Sequence, residues 1–171
     1  MSAHELDGTG KVAFFRDSRS KARALVKSSA STYFNFSSAP TAETQTLLNH
    51  FQLTDFAKQY SHTRCAMAAQ ALCKGVSQVV DVTVRGGLDN HFDWTTNHAG
   101  PLREGLDAVG KLIAWLKLQP DPDGGSIFDY TTLIALSEFS RTPLLGKTGV
   151  GRDHHMTSSC FVMGPGIRGN T

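Results

Sequence analysis

The chain has 171 residues, of which 40% are hydrophobic and 19% are charged, and these values are typical of a single globular domain. A net charge of +2 with scattered basic residues argues against a nucleic-acid-binding protein. No apolar run approaches the roughly 18 residues of a membrane span. The N-terminal stretch lacks the apolar core of a signal peptide, so we expect either a cytoplasmic protein or a chain whose true start is missing.

The cysteines Cys65, Cys73 and Cys160 are odd in number and form no CxxC pair. They predict neither a disulfide framework nor a thiolate zinc site. We therefore expect them to behave as small hydrophobic residues.

Helices are predicted in three places after a weakly ordered N-terminal segment, residues 1–40. Thr41 is a candidate N-cap for the first helix, and a second helix is expected from about Thr54 to a stop at Gly75. Pro101 suits the first turn of the third. Its apolar stripe consists of Leu102, Leu106, Val109, Leu112, Ile113 and Leu116.

Three short apolar runs predict strands, and they are "VSQVVDVTV" at 76–84, "YTTLIALSEF" at 130–139 and "SSCFVMGPG" at 158–166. Because a helix separates the first two, we expect a largely parallel sheet with helices on its faces. The predicted fold class is thus α/β, with residues 41–171 forming the domain.

Candidate ligands follow these strands in three segments. They are Asp89, His91 and Asp93 after the first strand, Glu138 and Arg141 after the second, and Asp153, His154 and His155 in the following loop. In an α/β sheet these segments are expected to meet beyond the carboxyl ends of the strands. Carboxylates and imidazoles form sites for zinc, manganese or iron, and carboxylate-rich sites also take magnesium or calcium. Arg141 could clamp an oxyanion.

Each of these residues also has a simpler structural explanation. A lone Asp-x-His is usually an exposed turn, Glu138 could pair with Arg141, and Asp153 could cap a turn. The remaining histidines, at positions 4, 50, 62 and 98, are expected to be structural or solvated. The Gly-Lys-Thr at 146–148 is not interpreted as a phosphate-binding loop, because Arg141 stands where the motif needs its first glycine.

Taken together, "GGLDNHFD", "SEFSRTP", "GRDHH" and "FVMGPGIRGN" resemble a bacterial family called domain of unknown function 1501, a relative of sulfatases in the alkaline phosphatase superfamily. The resemblance covers roughly residues 60–171 and implies an alkaline-phosphatase-like α/β sandwich, incomplete in this chain. It also implies divalent metal, with Asp89, His91, Glu138, Asp153 and His154 as the ligand set. Arg141 would be a second-shell or anion-binding residue, and Phe139 stands where many relatives have a ligand histidine.

This chain departs from the family pattern at Leu88, Ser140 and His155, and none of these departures removes a candidate ligand. The early strand with its metal aspartate and nucleophile is not recognisable, since "ELDGTG" with Asp7 follows no strand. We therefore expect the C-terminal part of a longer protein. The resemblance implies export, although the chain carries no export signal.

The resemblance predicts metal-dependent hydrolysis of a small anionic phosphate or sulfate ester. One alternative is a non-catalytic remnant of the same fold that serves as a binding or structural module. Another is an unrelated α/β binding domain whose motif matches are coincidental. Convergence of Asp89, His91, Glu138 and His154 within a few ångströms is the structural test of the first hypothesis.

Overall fold

The computed structural model describes residues 30–146 and 149–169, together with positions 13, 16, 17, 19, 20, 23 and 24. Most of the predicted segment 1–40, including Asp7, lies outside the described residues, as do Lys147 and Thr148 of the Gly-Lys-Thr sequence.

Residues 30–146 and 149–169 contain four α-helices, two 3-10 helices and four short strands. The α-helices are α1 (Ala42–His50), α2 (Tyr60–Cys73), α3 (Trp94–Asn97) and α4 (Ala99–Leu118). The 3-10 helices are Ala30–Phe34 and Ile127–Tyr130. The strands are β1 (Leu133–Leu136), β2 (Ser140–Arg141), β3 (His154–His155) and β4 (Cys160–Met163).

The helix ends follow from local capping chemistry. The Thr41 side chain accepts a hydrogen bond of 3.1 Å from the amide of Thr44, which satisfies one of the free N–H groups of the first turn. Gly75 lies just beyond α2 with a φ of 62°, a conformation that glycine adopts without a Cβ penalty. Both predictions are confirmed, although α2 begins at Tyr60 and not near Thr54.

The core lies between α1, α2 and α4. Its fully buried members include small residues on α2, which allow the helices to pack closely. The fully buried core residues are Leu47, Phe51, Cys65, Ala66, Ala69, Ala108 and Leu116. The α4 stripe is confirmed at Val109, Leu112 and Leu116, which are buried, whereas Leu106 is 50% exposed.

The prediction of an alkaline-phosphatase-like sandwich with a parallel sheet is wrong. β1 pairs antiparallel with β4, from Leu133 opposite Met163 to Leu136 opposite Cys160. β2 pairs antiparallel with β3, with Arg141 opposite His154. The physical reason lies in the connection between β1 and β4, because its described residues contain no helix and a parallel pair needs a crossover, usually a helix. The two strand pairs instead form one long hairpin, residues 133–163.

The predicted first strand, residues 76–84, is also wrong. It is irregular and has no strand partner within the described ranges, and Val79 is 84% exposed. A strand requires a partner for its hydrogen bonds, and a short apolar run does not by itself provide one. The segment is fastened to the helices instead, since Arg64 donates to the Thr83 carbonyl at 2.8 Å and Arg85 pairs with Glu104 at 3.2 Å.

Gly105 lets this segment lie directly on α4. A Cβ at that position would lie 3.2 Å from the Cβ of Arg85 and 3.3 Å from a methyl carbon of Val84. This packing sets the path of the chain that leads to Asp89.

Among the described residues, none of the helices combines the length and the apolar character that a membrane crossing requires.

Candidate metal centre

The candidate site forms where the tip of the hairpin contacts the turn between residues 86 and 94. The Trp94 amide donates to the Val150 carbonyl at 2.8 Å, and the Arg152 amide donates to the Asn90 carbonyl at 3.3 Å. These bonds join two segments that lie far apart in sequence. Asp89, His91 and His154 therefore converge as predicted, through this contact and not at the edge of a parallel sheet, whereas Glu138 does not join them.

Three candidate ligand atoms form a small triangle. The Asp89 Oδ1 atom lies 2.9 Å from His154 Nε2 and 3.1 Å from His91 Nε2. The two Nε2 atoms lie 3.2 Å from each other. The triangle is open to solvent, because the side chains of Asp89 and His154 are 63% and 50% exposed.

The dimensions of the triangle fit a four-coordinate metal ion. Zinc binds imidazole nitrogen and carboxylate oxygen at about 2.0–2.1 Å, which places the ligand atoms of a tetrahedron about 3.3 Å apart. The three measured separations of 2.9, 3.1 and 3.2 Å are close to this value. The residues present therefore fit such an ion, with the fourth position facing solvent.

Asp153 contacts the back of His91. Its Oδ1 atom lies 3.2 Å from His91 Nδ1, on the side of the ring away from the triangle. When Nδ1 carries the proton, it donates to this carboxylate and leaves Nε2 free as a ligand. Asp153 was predicted as a ligand, and the structure places it where it orients one.

Arg141 connects the two halves of the site. Its guanidinium donates to the carbonyls of Arg152 at 3.1 Å and Leu88 at 3.2 Å, and it also donates to the Asp89 carboxylate. Only 10% of the side chain is exposed. Its donors therefore face the protein, which favours the second-shell role over anion binding.

The Asp89 carboxyl has a pKa lowered from 3.8 to about 2, first by the Arg141 hydrogen bond and then by that of His154. A carboxylate that stays ionised through the neutral range is suited to bind a cation. The partners that lower this pKa also fix the direction of Oδ1.

Glu138 does not join the cluster. Arg141 lies opposite His154 in the β2–β3 pair, and Phe139, two residues earlier, also contacts the His154 ring with a centroid separation of 4.1 Å. Glu138 lies between β1 and β2, where its side chain is exposed, and it is not among the residues whose ligand atoms lie within 4.8 Å of one another. Asp93 and His155 also remain outside, since Asp93 precedes α3 and His155 contacts Thr157 at 2.8 Å.

Two stacked aromatic rings, which were not predicted from the sequence, lie at the end of the turn formed by residues 86–94. The Trp94 and His98 rings stack at 3.7 Å, and the Arg152 guanidinium lies 5.2 Å from the Trp94 ring centre. His98 also contacts Asn90 Oδ1 at 3.0 Å, and burial lowers its pKa. The spacing of four residues between Trp94 and His98, which is typical of one helix face, is the signal that could have indicated the pair.

A mostly apolar groove opens beside Asp153. It is lined by Thr142, Pro143, Leu144, Leu145, Gly146 and Asp153. The site therefore adjoins a surface that can contact the organic part of a small molecule.

Comparison with known proteins tests the resemblance seen in the motifs. A search of curated proteins found no significant match, and a search of solved structures found none. The family model described as "Protein of unknown function (DUF1501)" matches residues 8–171, so the chain belongs to this family.

Proposed function

We propose that Asp89, His91 and His154 bind one divalent transition-metal ion and that the loaded site acts on a phosphate or sulfate ester. The observation that carries the proposal is the triangle of Oδ1 and two Nε2 atoms with sides of 2.9, 3.1 and 3.2 Å. Mixed nitrogen and oxygen ligands suit zinc better than calcium or magnesium.

The surrounding residues support this assignment. Metal-bound histidines usually donate their other ring N–H to a carboxylate, and Asp153 lies 3.2 Å from His91 Nδ1 in that position. Arg141 fixes Asp89 in the same way, from the opposite side. Two residues of the predicted ligand set are therefore not among the proposed ligands, since Asp153 would orient His91 and Glu138 lies outside the cluster.

The open face of the site favours a reactive centre over a structural one. Structural zinc sites have four protein ligands, whereas catalytic sites have three and keep one position for water or substrate. The ion would supply a Lewis acid for the oxygens of an ester. The chain itself would orient the ligands, and the groove at Leu144 and Leu145 would contact the organic group of the substrate.

The net charge of the side chains at the site, together with that of a bound divalent ion, favours an anionic substrate. The carboxylates of Asp89 and Asp153 against the guanidinium of Arg141 leave a local charge of −2 + 1 = −1. A divalent ion changes this to −1 + 2 = +1, so the loaded site attracts an anion.

A metal-binding module without catalysis is the second candidate. In the described part of the chain, no serine, threonine or cysteine side chain contacts the triangle atoms of Asp89, His91 or His154. This observation is expected for a site that binds metal without forming a covalent intermediate, as in the remnant hypothesis.

The metal content of the purified protein tests the proposal. We expect about one equivalent of zinc in the wild type, and its loss in His91→Ala and His154→Ala. His155→Ala and Glu138→Gln are the matched controls, because these neighbours lie outside the triangle, and both should retain the ion. A wild type without metal, or equal metal in all variants, would contradict the proposal. Hydrolysis of aryl phosphates and sulfates by the loaded wild type then separates the enzyme from the module.

A further inference from the structure

Gly151 is buried where the hairpin tip lies against the backbone of the turn at His91 and Phe92. A Cβ built on Gly151 would lie 1.6 Å from the carbonyl oxygen of His91, 1.9 Å from its carbonyl carbon and 2.6 Å from the Phe92 nitrogen. Each distance is shorter than 3.0 Å, and Cβ atoms in proteins essentially never come that close to an atom to which they are not bonded. Only a glycine therefore allows the hairpin to lie this close to the turn.

The contact lies between the two hydrogen bonds that fasten the hairpin tip to the turn. Val150, one residue earlier, accepts from Trp94 at 2.8 Å, and Arg152, one residue later, donates to Asn90 at 3.3 Å. Atoms on both sides of Gly151 are thus fixed against the segment that carries His91. A side chain at this position cannot rotate away, because backbone atoms occupy the space.

Gly151 also lies close in sequence to both residues that the hairpin contributes to the site, Asp153 and His154. A Cβ at residue 151 would require the two backbones to separate by at least 3.0 − 1.6 = 1.4 Å. Metal–ligand distances are confined to within about 0.2 Å of their ideal values. The required separation is several times larger than this tolerance.

We propose that Gly151 is the positioning residue of the metal centre, because its missing side chain sets the separation between His91 and His154. The inference rests on the proposed function and deepens it. It assigns a role to the first residue of the "GRDHH" sequence, which contributes no ligand itself.

The test compares Gly151→Ala with Gly86→Ala as a matched control. Gly86 precedes Asp89 in the same turn, and a Cβ there would meet no atom within 4 Å. Cobalt titration followed by visible absorption reports geometry as well as affinity, because tetrahedral Co²⁺ absorbs more strongly than six-coordinate Co²⁺. We expect Gly151→Ala to bind Co²⁺ at least tenfold more weakly and to lose the tetrahedral spectrum, whereas Gly86→Ala should match the wild type.

A second measurement uses metal-free protein. Amide hydrogen exchange at Trp94 and Arg152 reports whether the hairpin lies on the turn, and exchange at both should be faster in Gly151→Ala. Unchanged affinity, an unchanged spectrum or unchanged exchange in Gly151→Ala would overturn the inference. Loss of helical circular dichroism in this variant would also overturn it, since a positioning residue leaves the helical core intact. If the wild type binds no metal, the proposed function fails, and the exchange data still decide whether Gly151 sets the contact.

Discussion

Arg141 shows at the scale of a single residue how the site is fixed. Its planar guanidinium contacts the Leu88 and Arg152 carbonyls and the Asp89 carboxylate, in three directions. A lysine carries the same charge but has a single ammonium group that cannot match this planar arrangement. The planar geometry of the guanidinium, and not only its charge, therefore fixes the orientation of the Asp89 side chain.

Arg141→Lys should weaken metal binding by roughly tenfold to a hundredfold, which is the usual cost of losing an outer-shell partner. A competitive titration of zinc against a chromogenic chelator measures this change. Arg103→Lys is the control, because Arg103 lies exposed on α4. If Arg141→Lys left zinc affinity unchanged and impaired only anion binding, Arg141 would be a substrate clamp and the outer-shell role would be wrong.

The residues of the site could be predicted only in part from the sequence. The motif order correctly indicated that Asp89, His91, Asp153 and His154 meet. It could not indicate that Glu138 stays outside the cluster, because that depends on how the two arms of the hairpin are aligned. That alignment contains an irregularity, since residues 137–139 lie opposite the longer stretch 156–159 between the two strand pairs.

At the scale of elements, the helices were predictable because their signals are local. A cap such as Thr41, a stop such as Gly75 and a periodic apolar stripe all act within a few residues. Strands depend on partners elsewhere in the chain, so residues 76–84 could have the composition of a strand and still remain irregular. The segment between residues 136 and 160 carries no helical pattern in the sequence, and such a connection favours the antiparallel pairing of β1 and β4 that the structure has.

The contact between α2 and α4 includes a polar link at its edge. Asp107 Oδ2 lies 2.8 Å from Nε2 of the buried His62 and 2.9 Å from Lys111 Nζ. Asp107 thus pairs with both residues, and His62 is structural, which is one of the two outcomes expected for it. Lys111 also donates to Gln52 at 3.0 Å, so the link extends toward the end of α1.

Asp107→Asn should destabilise the protein by about 1 kcal/mol at neutral pH, at the low end for charged hydrogen bonds because the carboxylate is half exposed. Hydrogen bonds from Lys111 and then His62 lower the pKa of Asp107 from 3.8. Its contribution is therefore fully present above pH 3.8 and is lost as the pH falls through the lowered pKa. Urea unfolding at several pH values measures the difference between wild type and variant, which should disappear in acid.

Asp123→Asn provides the control for this experiment. Asp123 is exposed in the turn after α4, and its carboxylate makes no contact within the described ranges. The control should unfold like the wild type at every pH. A difference between Asp107→Asn and the wild type that stays constant down to acid pH would contradict the electrostatic explanation.

At the scale of the whole molecule, the helical core and the hairpin carry different functions. The core residues come from the helices, the residues that directly follow them and the start of β1, whereas the candidate ligands lie on the turn and the hairpin arm. His91 and His154 are separated by 63 residues in sequence. A metal that bridges them therefore connects two segments that the protein alone joins through a few hydrogen bonds. Membership of the family also shows that the alternative of an unrelated domain with coincidental motifs is wrong.

Zinc should consequently protect the hairpin contact from hydrogen exchange without affecting the helical core. Opening of this contact separates the ligands, so binding suppresses it by the factor 1 + [L]/Kd, which is about 100-fold at free zinc of 100 Kd. Exchange measured with and without zinc should slow at Trp94 and Arg152 and stay constant within α2. His154→Ala should show no slowing at any position. Uniform protection across both regions would mean that the ion stabilises the whole fold, and the separation between core and site would then be wrong.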